Sequence, residues 1–378
     1  MLPQQPEDRL ARLRGPASPE PYTARKITAL TANPACARRA VLDAAGVDKA
    51  LLATRIGFEP RFGQSPFALT RGQAFETLVA WGGYAELVSL LRTELAVPVT
   101  EAAVADLTEV AGNSAPAVRA RETQRLLERI AAGDEDRLIL GHPMLTLDVA
   151  GRTAFLEPDA LTHRIGGRFY AVEIRSFPAI DGQADPARTA EAVKQAAVHV
   201  IALRQAFHRA GLPPEAVADE FLLICPKDFS NRPYGRLLDL RQELDAVEFQ
   251  LGRLRRAADL TETLPADASF DLAEDSAGSP VRDAGELDAS VGALEAAYSP
   301  SCLSFCEMSR YCRQEAETAG EPARLGSGVR NDLPGIGSTR TALGLIDGTV
   351  EPEPEQAEIA ELLRTAARLR DLRGGGAA

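Results

Sequence analysis

The sequence lacks a long apolar run. No stretch reaches the roughly 18 uninterrupted apolar residues of a membrane-spanning helix, although 45% of the 378 residues are hydrophobic. The N-terminus also lacks the positive segment followed by an apolar one that marks a secretory signal. We therefore expect a soluble, cytoplasmic protein with no membrane partner, folded as one large or two smaller domains.

Cysteine and net positive charge are also scarce. Five cysteines in a chain without a signal-like N-terminus argue against a disulfide framework. The formal net charge of −12 looks unsuited to a nucleic-acid binder. However, residues 259–288 hold nine acidic residues against one basic residue. The rest of the chain is much nearer neutrality, so whole-chain charge does not exclude DNA as a partner.

The stretch from Phe155 to Phe177 reads as two strands joined by a tight turn. Hydrophobic residues alternate on both sides of Gly166 and Gly167, and glycine supplies the positive-φ positions that hairpin turns favour. Antiparallel pairing centred on Gly166 would place Asp159 opposite Glu173, because each lies seven residues from the centre. The two ends of the stretch are therefore predicted to meet.

Charged side chains crowd one face of this hairpin. Residues directly opposite each other, and residues two apart on one strand, share a face. That face carries Glu157, Asp159, Glu173 and Arg175. Opposed carboxylates repel unless a cation lies between them, and hard divalent cations prefer oxygen ligands. The pattern allows either a divalent metal site or a solvated strand face with a Glu157–Arg175 ion pair.

The spacing resembles that of the PD-(D/E)xK nucleases. Pro158-Asp159, followed after the turn by Glu173-Ile174-Arg175, matches their motif. The resemblance implies that Asp159 and Glu173 bind Mg²⁺ or Mn²⁺. Arg175 stands where the family has lysine, and a guanidinium can hold a phosphate but cannot act as a general base. Two interpretations follow: an active nuclease with an atypical third residue, or a nuclease fold that has lost its chemistry.

A helix that begins at Thr70 carries a second match. Arg71-Gly72-x-x-Phe75-Glu76 resembles the first motif of RecB-type nucleases, with Phe75 in place of the histidine of that motif. The resemblance implies that Glu76 completes the metal shell, whereas the pattern alone equally allows an exposed helical acid. His142 could face the same site, although a single histidine beside proline is more often structural.

The helix predicted over Asp185–Ala210 carries a third match. Gln195 and His199 lie four residues apart and share a face. Their spacing resembles the Gln-x-x-x-Tyr motif of the RecB-type family, which implies that Gln195 positions water or DNA. Lys194, on the same helix, could replace the lysine that is absent at position 175. The simpler interpretation is an amphipathic helix with its polar residues outward.

A second chemical signal lies near the end of the chain, where Cys302, Cys306 and Cys312 fall within eleven residues. Clustered cysteines in such a chain favour a metal, and both zinc and iron–sulfur clusters take four thiolates. Cys36 is the best fourth ligand, because Cys225 lies among leucine and isoleucine and reads as a small core residue.

This layout resembles the iron–sulfur members of the RecB-like group, which include CRISPR adaptation exonucleases and the AddB subunit of helicase–nucleases. The resemblance implies a [4Fe–4S] cluster on the four cysteines that joins the ends of the chain around the nuclease core. Zinc stays the alternative. The family usually has Cys-x-x-Cys at its first pair, whereas this chain has Cys302-x-x-x-Cys306.

We therefore expect an α/β fold with a restriction-endonuclease-like mixed sheet flanked by helices. The predicted segments are 1–69 (helical, with the first cluster cysteine), 70–258 (nuclease-like core), 259–298 (acidic insertion or loop) and 299–378 (cysteine cluster and helical tail). The expected function is metal-dependent DNA cleavage in DNA processing, repair or phage defence, and exonuclease action would fit. The alternative is a non-catalytic DNA-binding or scaffolding subunit of a helicase or defence complex.

Overall fold

The chain folds into two units. The computed structural model describes residues 6–60, 66–93, 103–110, 112–134, 139–165, 167–228, 230–254, 257, 259–262 and 264–374. The sheet unit comprises Glu20–Pro34 and Gln64–Ala257, and the cysteine unit comprises Met1–Pro19, Ala35–Gly63 and Ala258–Ala378. Gly166, the predicted centre of the hairpin turn, lies outside the described residues. The four predicted segments stay a prediction.

The described residues form helices and strands as follows. The helices are α1 (Pro6–Arg14), α2 (Ala24–Ala32), α3 (Ala37–Ala45), α4 (Lys49–Arg55), α5 (Pro66–Thr93), α6 (Pro116–Ala132), α7 (Pro186–Arg209), α8 (Arg241–Leu254), α9 (Ala284–Gly292), α10 (Ser309–Ala319), α11 (Ser327–Asp332), α12 (Thr339–Asp347) and α13 (Ala357–Gly374). The strands are β1 (Val104–Asp106), β2 (Ile139–Gly141), β3 (Leu145–Val149), β4 (Arg152–Leu156), β5 (Ala160–Ile165), β6 (Arg168–Ile174), β7 (Ala179–Ile180), β8 (Gln183–Ala184), β9 (Val217–Pro226) and β10 (Pro233–Asp239).

Six strands of the sheet unit form one mixed sheet in the order β1-β2-β5-β6-β9-β10. The pairs β1–β2 and β6–β9 are parallel, and the other neighbours are antiparallel. Helix α5 packs on the face that carries Val172 and Ile174, and α7 reaches Glu173 on the opposite face. An α/β fold with a mixed sheet flanked by helices is thus confirmed.

Strands β5 and β6 form the hairpin at the centre of this sheet. Ala160 pairs with Val172 and Leu161 with Ala171, which is the register predicted from a centre at 166. The register shifts near the turn, between His163 and Ile165. Position 159 therefore lies one step beyond the last pair, beside position 173. The predicted first strand was wrong at its start, because Phe155 and Leu156 belong to β4, which pairs with β3 in a separate two-stranded sheet.

The described secondary-structure elements of the cysteine unit are helices, with irregular backbone between them. Its core includes three of the cysteines together with Leu42, Phe270 and Val291. Within the stretch predicted as an acidic insertion or loop, residues 284–292 form α9, and Phe270 is fully buried. The helix begins where it does because Asp283 and Glu286 form a reciprocal capping box with the backbone.

Among the described helices, none combines the length and the apolar character that a membrane span requires.

Candidate functional site

The charged site lies at the end of β6, where a guanidinium bridges two carboxylates. Arg175 Nη1 donates to Asp159 Oδ2 at 3.2 Å, and Nη2 donates to Glu173 Oε2. The same Nη2 donates to Gln195 Oε1 at 2.7 Å. The hairpin register and helix α7 together gather these four side chains. The predicted Glu157–Arg175 ion pair is replaced by these contacts, because Arg175 points towards Asp159 and Glu173, while Glu157 pairs with Arg119.

Asp159 and Glu173 differ sharply in their surroundings. Glu173 is 1% exposed, and its second oxygen contacts His199 Nδ1 at 2.5 Å. Asp159 Oδ2 also accepts the backbone N–H of Ile174 at 2.5 Å. Arg175 thus contacts both acids, but Glu173 is also held by His199 of α7, whereas Asp159 is also held by the backbone of β6.

The pKa values of the two acids move apart. Burial and repulsion from Glu173 raise the pKa of Asp159 to about 7, against the opposing effect of Arg175. Burial alone would raise the pKa of Glu173, but Arg175 and His199 lower it below its usual value. Near neutral pH, Asp159 is therefore the acid of the pair that takes up a proton. A cation placed between the acids would favour the ionised form of both.

A second acidic group lies beside the first. His142 Nδ1 lies 3.4 Å from Glu157 Oε1 and 3.7 Å from Glu76 Oε1, and Arg119 Nη2 lies 2.7 Å from Glu157 Oε1. Burial opposes ionisation of Glu157, but hydrogen bonds from His142 and Arg119 lower its pKa to about 2. Burial raises the pKa of Glu76, while His142 opposes that shift.

The site brings together only part of the predicted set. Asp159, Glu173, Arg175 and Gln195 meet directly, whereas Glu76 faces His142. No hydrogen bond or ion pair in the described part of the chain joins Lys194 to the acids, although it adjoins Gln195 on α7. Across the same described ranges, no three histidine, cysteine or acidic side chains are placed to hold one metal ion.

Three side chains at the site had weak or no sequence signals. His199 stands at the tyrosine position of the Gln-x-x-x-Tyr match, while the simpler interpretation has it facing outward; it is 5% exposed and contacts Glu173. His142 was a candidate from the sequence, and it lies at the site with a positive φ of 48°, which is uncommon outside glycine although histidine adopts it more often than most residues. Arg119 comes from α6, about 40 residues before its partner Glu157, and no short-range pattern joins the two.

The residues present fit Mg²⁺ or Mn²⁺ under one condition. Mg²⁺ keeps several waters and is commonly held by one or two carboxylates together with substrate phosphates. Two close carboxylates, Glu173 buried and Asp159 partly buried with a raised pKa, match that need without a third protein ligand. The condition is that the guanidinium of Arg175 leaves the position between them, because it contacts both.

In the cysteine unit, Cys302, Cys306 and Cys312 are each at most 8% exposed, while Cys36 begins α3 and is partly exposed. Burial raises the pKa of the Cys306 thiol to about 11 and that of Cys312 to about 12, although nearby arginines oppose both shifts. Among the described residues, no three cysteine, histidine or acidic side chains of this region are arranged around one metal position.

Buried cations surround these thiols. Arg38 Nη1 donates to Cys312 Sγ at 3.1 Å. Arg39 is 4% exposed, lies within electrostatic range of Cys36 and Cys306, and has an Nη1 without a hydrogen-bond partner among the described residues. A buried, unpartnered cationic N–H is costly unless negative charge lies nearby. The donor chemistry therefore fits a thiolate-bound metal centre, whether iron–sulfur or zinc.

Comparison with known proteins adds little. No protein-family model matches this chain, and no curated protein matches it. One solved structure, a candidate exonuclease from Eubacterium rectale, aligns over 56% of this chain and 79% of its own, with 15% sequence identity and a TM-score of 0.27. A similarity at this level carries no argument about fold or activity.

Proposed function

We propose that the sheet unit is a nuclease that hydrolyses DNA phosphodiesters with Mg²⁺ or Mn²⁺ as cofactor. The observation that carries the proposal is the meeting of Asp159, Glu173, Arg175 and Gln195 at the end of β6. Two acids with divergent pKa values and a phosphate-binding cation in one place are what phosphodiester hydrolysis needs. The resemblance to RecB-like nucleases agrees with this assignment.

Each residue has a role in this proposal. Asp159 and Glu173 hold the metal, which when bound supplies a Lewis acid and activates water. Arg175 moves from the carboxylates to the scissile phosphate, where its planar N–H fork can bind two oxygens. Gln195 then loses its bond to Arg175 and becomes available to orient water or DNA. His199 keeps the Glu173 carboxylate in position through Oε1.

The remaining predicted parts join the proposal as follows. Glu76 contributes a second acid at the edge of the site and interacts with His142. Lys194, which precedes Gln195 on α7, would approach a bound phosphate. A [4Fe–4S] cluster, with zinc as the alternative, would be held by the four cysteines Cys36, Cys302, Cys306 and Cys312. A role in DNA processing, repair or phage defence follows from the resemblance alone.

A second candidate is a non-catalytic DNA-binding or scaffolding subunit of a helicase or defence complex. The specific observation in its favour is that Arg175 already bridges both acids, so that the site is electrostatically complete without a metal. In that case Arg175 would be a structural replacement for the cation, and the site would not hydrolyse DNA.

The deciding experiment is cleavage of end-labelled single-stranded and duplex DNA by the wild type and Asp159→Ala, with Mg²⁺, Mn²⁺ or EDTA. Glu248 lies on the exposed face of α8, so Glu248→Gln serves as a control that removes one carboxylate outside the site. We expect metal-dependent cleavage by the wild type and the control, and none by Asp159→Ala. Equal activity in all three, or none in any, would overturn the enzyme proposal.

A further inference from the structure

The two consecutive arginines near the start of α3 use their donors very differently. Arg38 satisfies all five N–H groups: Nε donates to the carbonyl of Val291, Nη1 to Cys312 and Glu315, and Nη2 to the carbonyl of Leu294 and again to Glu315. A guanidinium has five donors, so this side chain cannot turn away from the sulfur without losing several bonds.

Arg39 is held less completely. Its Nε lies 3.2 Å from Asp43 Oδ2, and its guanidinium lies 5.4 Å from the ring centroid of Phe305. The carboxylate of Asp43 is shared with buried Lys49, which also lies 3.6 Å from Glu307. Asp43 thus divides its charge between two cations, and the buried Nη1 of Arg39 has no hydrogen-bond partner among the described residues.

We propose that Arg38 and Arg39 are positioning residues that tune a metal centre bound by the four cysteines, by stabilising the more negatively charged state of its sulfurs. This inference rests on the cysteine-centre part of the proposed function. Four thiolates around [4Fe–4S]²⁺ or Zn²⁺ give a net charge of −2, and one-electron reduction of the iron cluster makes it −3. N–H···S bonds and nearby cations favour the more negative state and so raise the reduction potential.

Glu315 makes the proposal testable, because its carboxylate should shift the reduction potential of the centre in the direction opposite to Arg38. Its carboxylate pairs with Arg38 and is 38% exposed. Arg38→Gln removes positive charge beside the sulfur, whereas Glu315→Gln leaves that positive charge uncompensated. A purely structural role would make both variants similarly harmful. A tuning role predicts opposite shifts of the potential.

The experiment is an anaerobic redox titration of the purified full-length chain, followed by visible absorbance and electron paramagnetic resonance. Arg38→Gln and Arg39→Gln should each lower the reduction potential of the centre by about 59 mV. For a one-electron couple, this shift changes the ratio of oxidised to reduced centre about tenfold. Glu315→Gln should raise it. Arg313→Gln, which breaks an exposed pair with Glu317 on the same helix, should leave it unchanged.

The outcomes separate the inference from the proposed function. If the wild type carries an iron centre and the variants shift as expected, the inference holds. If the centre is present and all variants keep the wild-type potential, the inference fails and the cysteine centre stands. If the centre is zinc, the same variants are compared by the rate of zinc loss to a chelator, which Arg38→Gln should raise and Glu315→Gln should lower. A wild type that binds neither metal overturns both.

A different observation carries a second inference, within the sheet unit. Helix α5 is interrupted at Trp81–Tyr84, where Gly82, Gly83 and Tyr84 all have positive φ, of 64°, 72° and 59°. Positive φ is unfavourable for tyrosine. The interruption buries Tyr84 to 2% exposure and leaves Trp81, the one tryptophan of the sequence, 78% exposed.

The interruption belongs to the charged site. Tyr84 lies within electrostatic range of Glu76, Glu157 and Asp159. Tyr84 also packs against Gly141, where an added Cβ would clash with the tyrosine hydroxyl, and Gly141 directly precedes His142 of the acidic group. Glu76 lies five residues before Trp81 and Tyr84 three residues after it, so residues on both sides of the tryptophan lie at this group. We infer that Trp81 is a stacking platform for an unpaired base of a single-stranded substrate, since aromatic rings bind every base through its π-face. This inference rests on the proposed nuclease function.

The single tryptophan makes this inference directly measurable. An unlabelled oligothymidine added with Ca²⁺, to limit cleavage, should quench the intrinsic fluorescence, and Trp81→Ala should weaken binding of a labelled oligonucleotide by about 10-fold, a typical stacking contribution. Trp81→Phe should recover most of the affinity. If the wild type binds the oligonucleotide and neither the emission nor the variants change, the stacking inference fails alone. If the wild type does not bind, the proposed function fails too.

Discussion

The charged site of the sheet unit and the cysteine region of the other unit bury cations in opposite ways. Arg175 contacts both acids of its site, so positive and negative charge are already matched there. Arg39 keeps a buried N–H without a partner among the described residues, near the Cys306 thiol, whose raised pKa keeps it protonated. The first site must release a cation before it binds a metal. The second gains partners for its cations when thiolates form.

The largest effect that would sharpen this comparison is expected from Glu173→Gln. The glutamine side chain lacks the negative charge with which Glu173 binds Arg175, His199 and a metal ion. The rate of DNA cleavage should therefore fall by about 10²–10³-fold. Initial rates on end-labelled DNA at saturating Mg²⁺ measure the loss, with Glu248→Gln as the exposed control. A Glu173→Gln enzyme with wild-type rates would mean that the chemistry lies elsewhere.

Asp43→Asn tests the cysteine side of the comparison. It leaves buried Arg39 and Lys49 without their shared carboxylate, and an uncompensated buried charge typically costs about 3–5 kcal/mol. Chemical unfolding of the metal-free chain should show that loss. Arg282→Gln, which breaks only an exposed pair with Glu286, should change the free energy of unfolding by less than about 1 kcal/mol. Equal stability of the two variants would show that this charge network is unimportant.

Arg175→Lys keeps a positive charge at position 175 but should weaken its contacts with Asp159 and Glu173. Lysine is a point charge and cannot bridge two carboxylates as a guanidinium does. The metal should then compete more easily, and we expect the Mg²⁺ concentration for half-maximal cleavage to fall by about tenfold, which corresponds to about 1.4 kcal/mol. A metal titration of the cleavage rate measures this. An increase in that concentration would show that Arg175 helps the metal to bind.

The smallest effect concerns acid stability. The lowered pKa of Glu157 means that the unfolded chain binds more protons there than the folded one between about pH 4.5 and pH 2. This carboxylate therefore contributes stability above pH 4.5, and that contribution is lost as the pH falls towards 2. Glu157→Gln should flatten the acid limb of the melting-temperature profile. An unchanged acid limb in the variant would show that the contacts of Glu157 with His142 and Arg119 do not stabilise the fold.

The central hairpin could be predicted because its information is local. A glycine turn and alternating side chains set the register, and that register brings Asp159 to Glu173. The predicted helix at Asp185 also agrees with α7, whose side-chain cap and Pro186 are visible in the sequence. Short-range patterns thus predicted both elements that hold the acids and Gln195.

The rest of the site depends on contacts between distant segments. Arg119 and His142 reach Glu157 from α6 and from the end of β2, and no spacing rule connects them. The contacts of Arg175 could not be predicted either. A strand pattern fixes the face on which a residue lies, but not which of the nearby acids its long side chain contacts. The interruption of α5 at Trp81 did have a local signal, because Gly82 and Gly83 adopt positive φ there, but the apolar spacing on both sides favoured one continuous helix.

The central claim is that Asp159 and Glu173 exchange the guanidinium of Arg175 for a divalent cation. Titration of Mn²⁺ into the protein with a non-hydrolysable oligonucleotide, followed by the paramagnetic signal of free Mn²⁺, measures this exchange directly. We predict one tightly bound Mn²⁺ per chain in the wild type, lost in Asp159→Ala and retained in Glu248→Gln. Equal Mn²⁺ binding in the wild type and Asp159→Ala, or no binding in either, would contradict the claim.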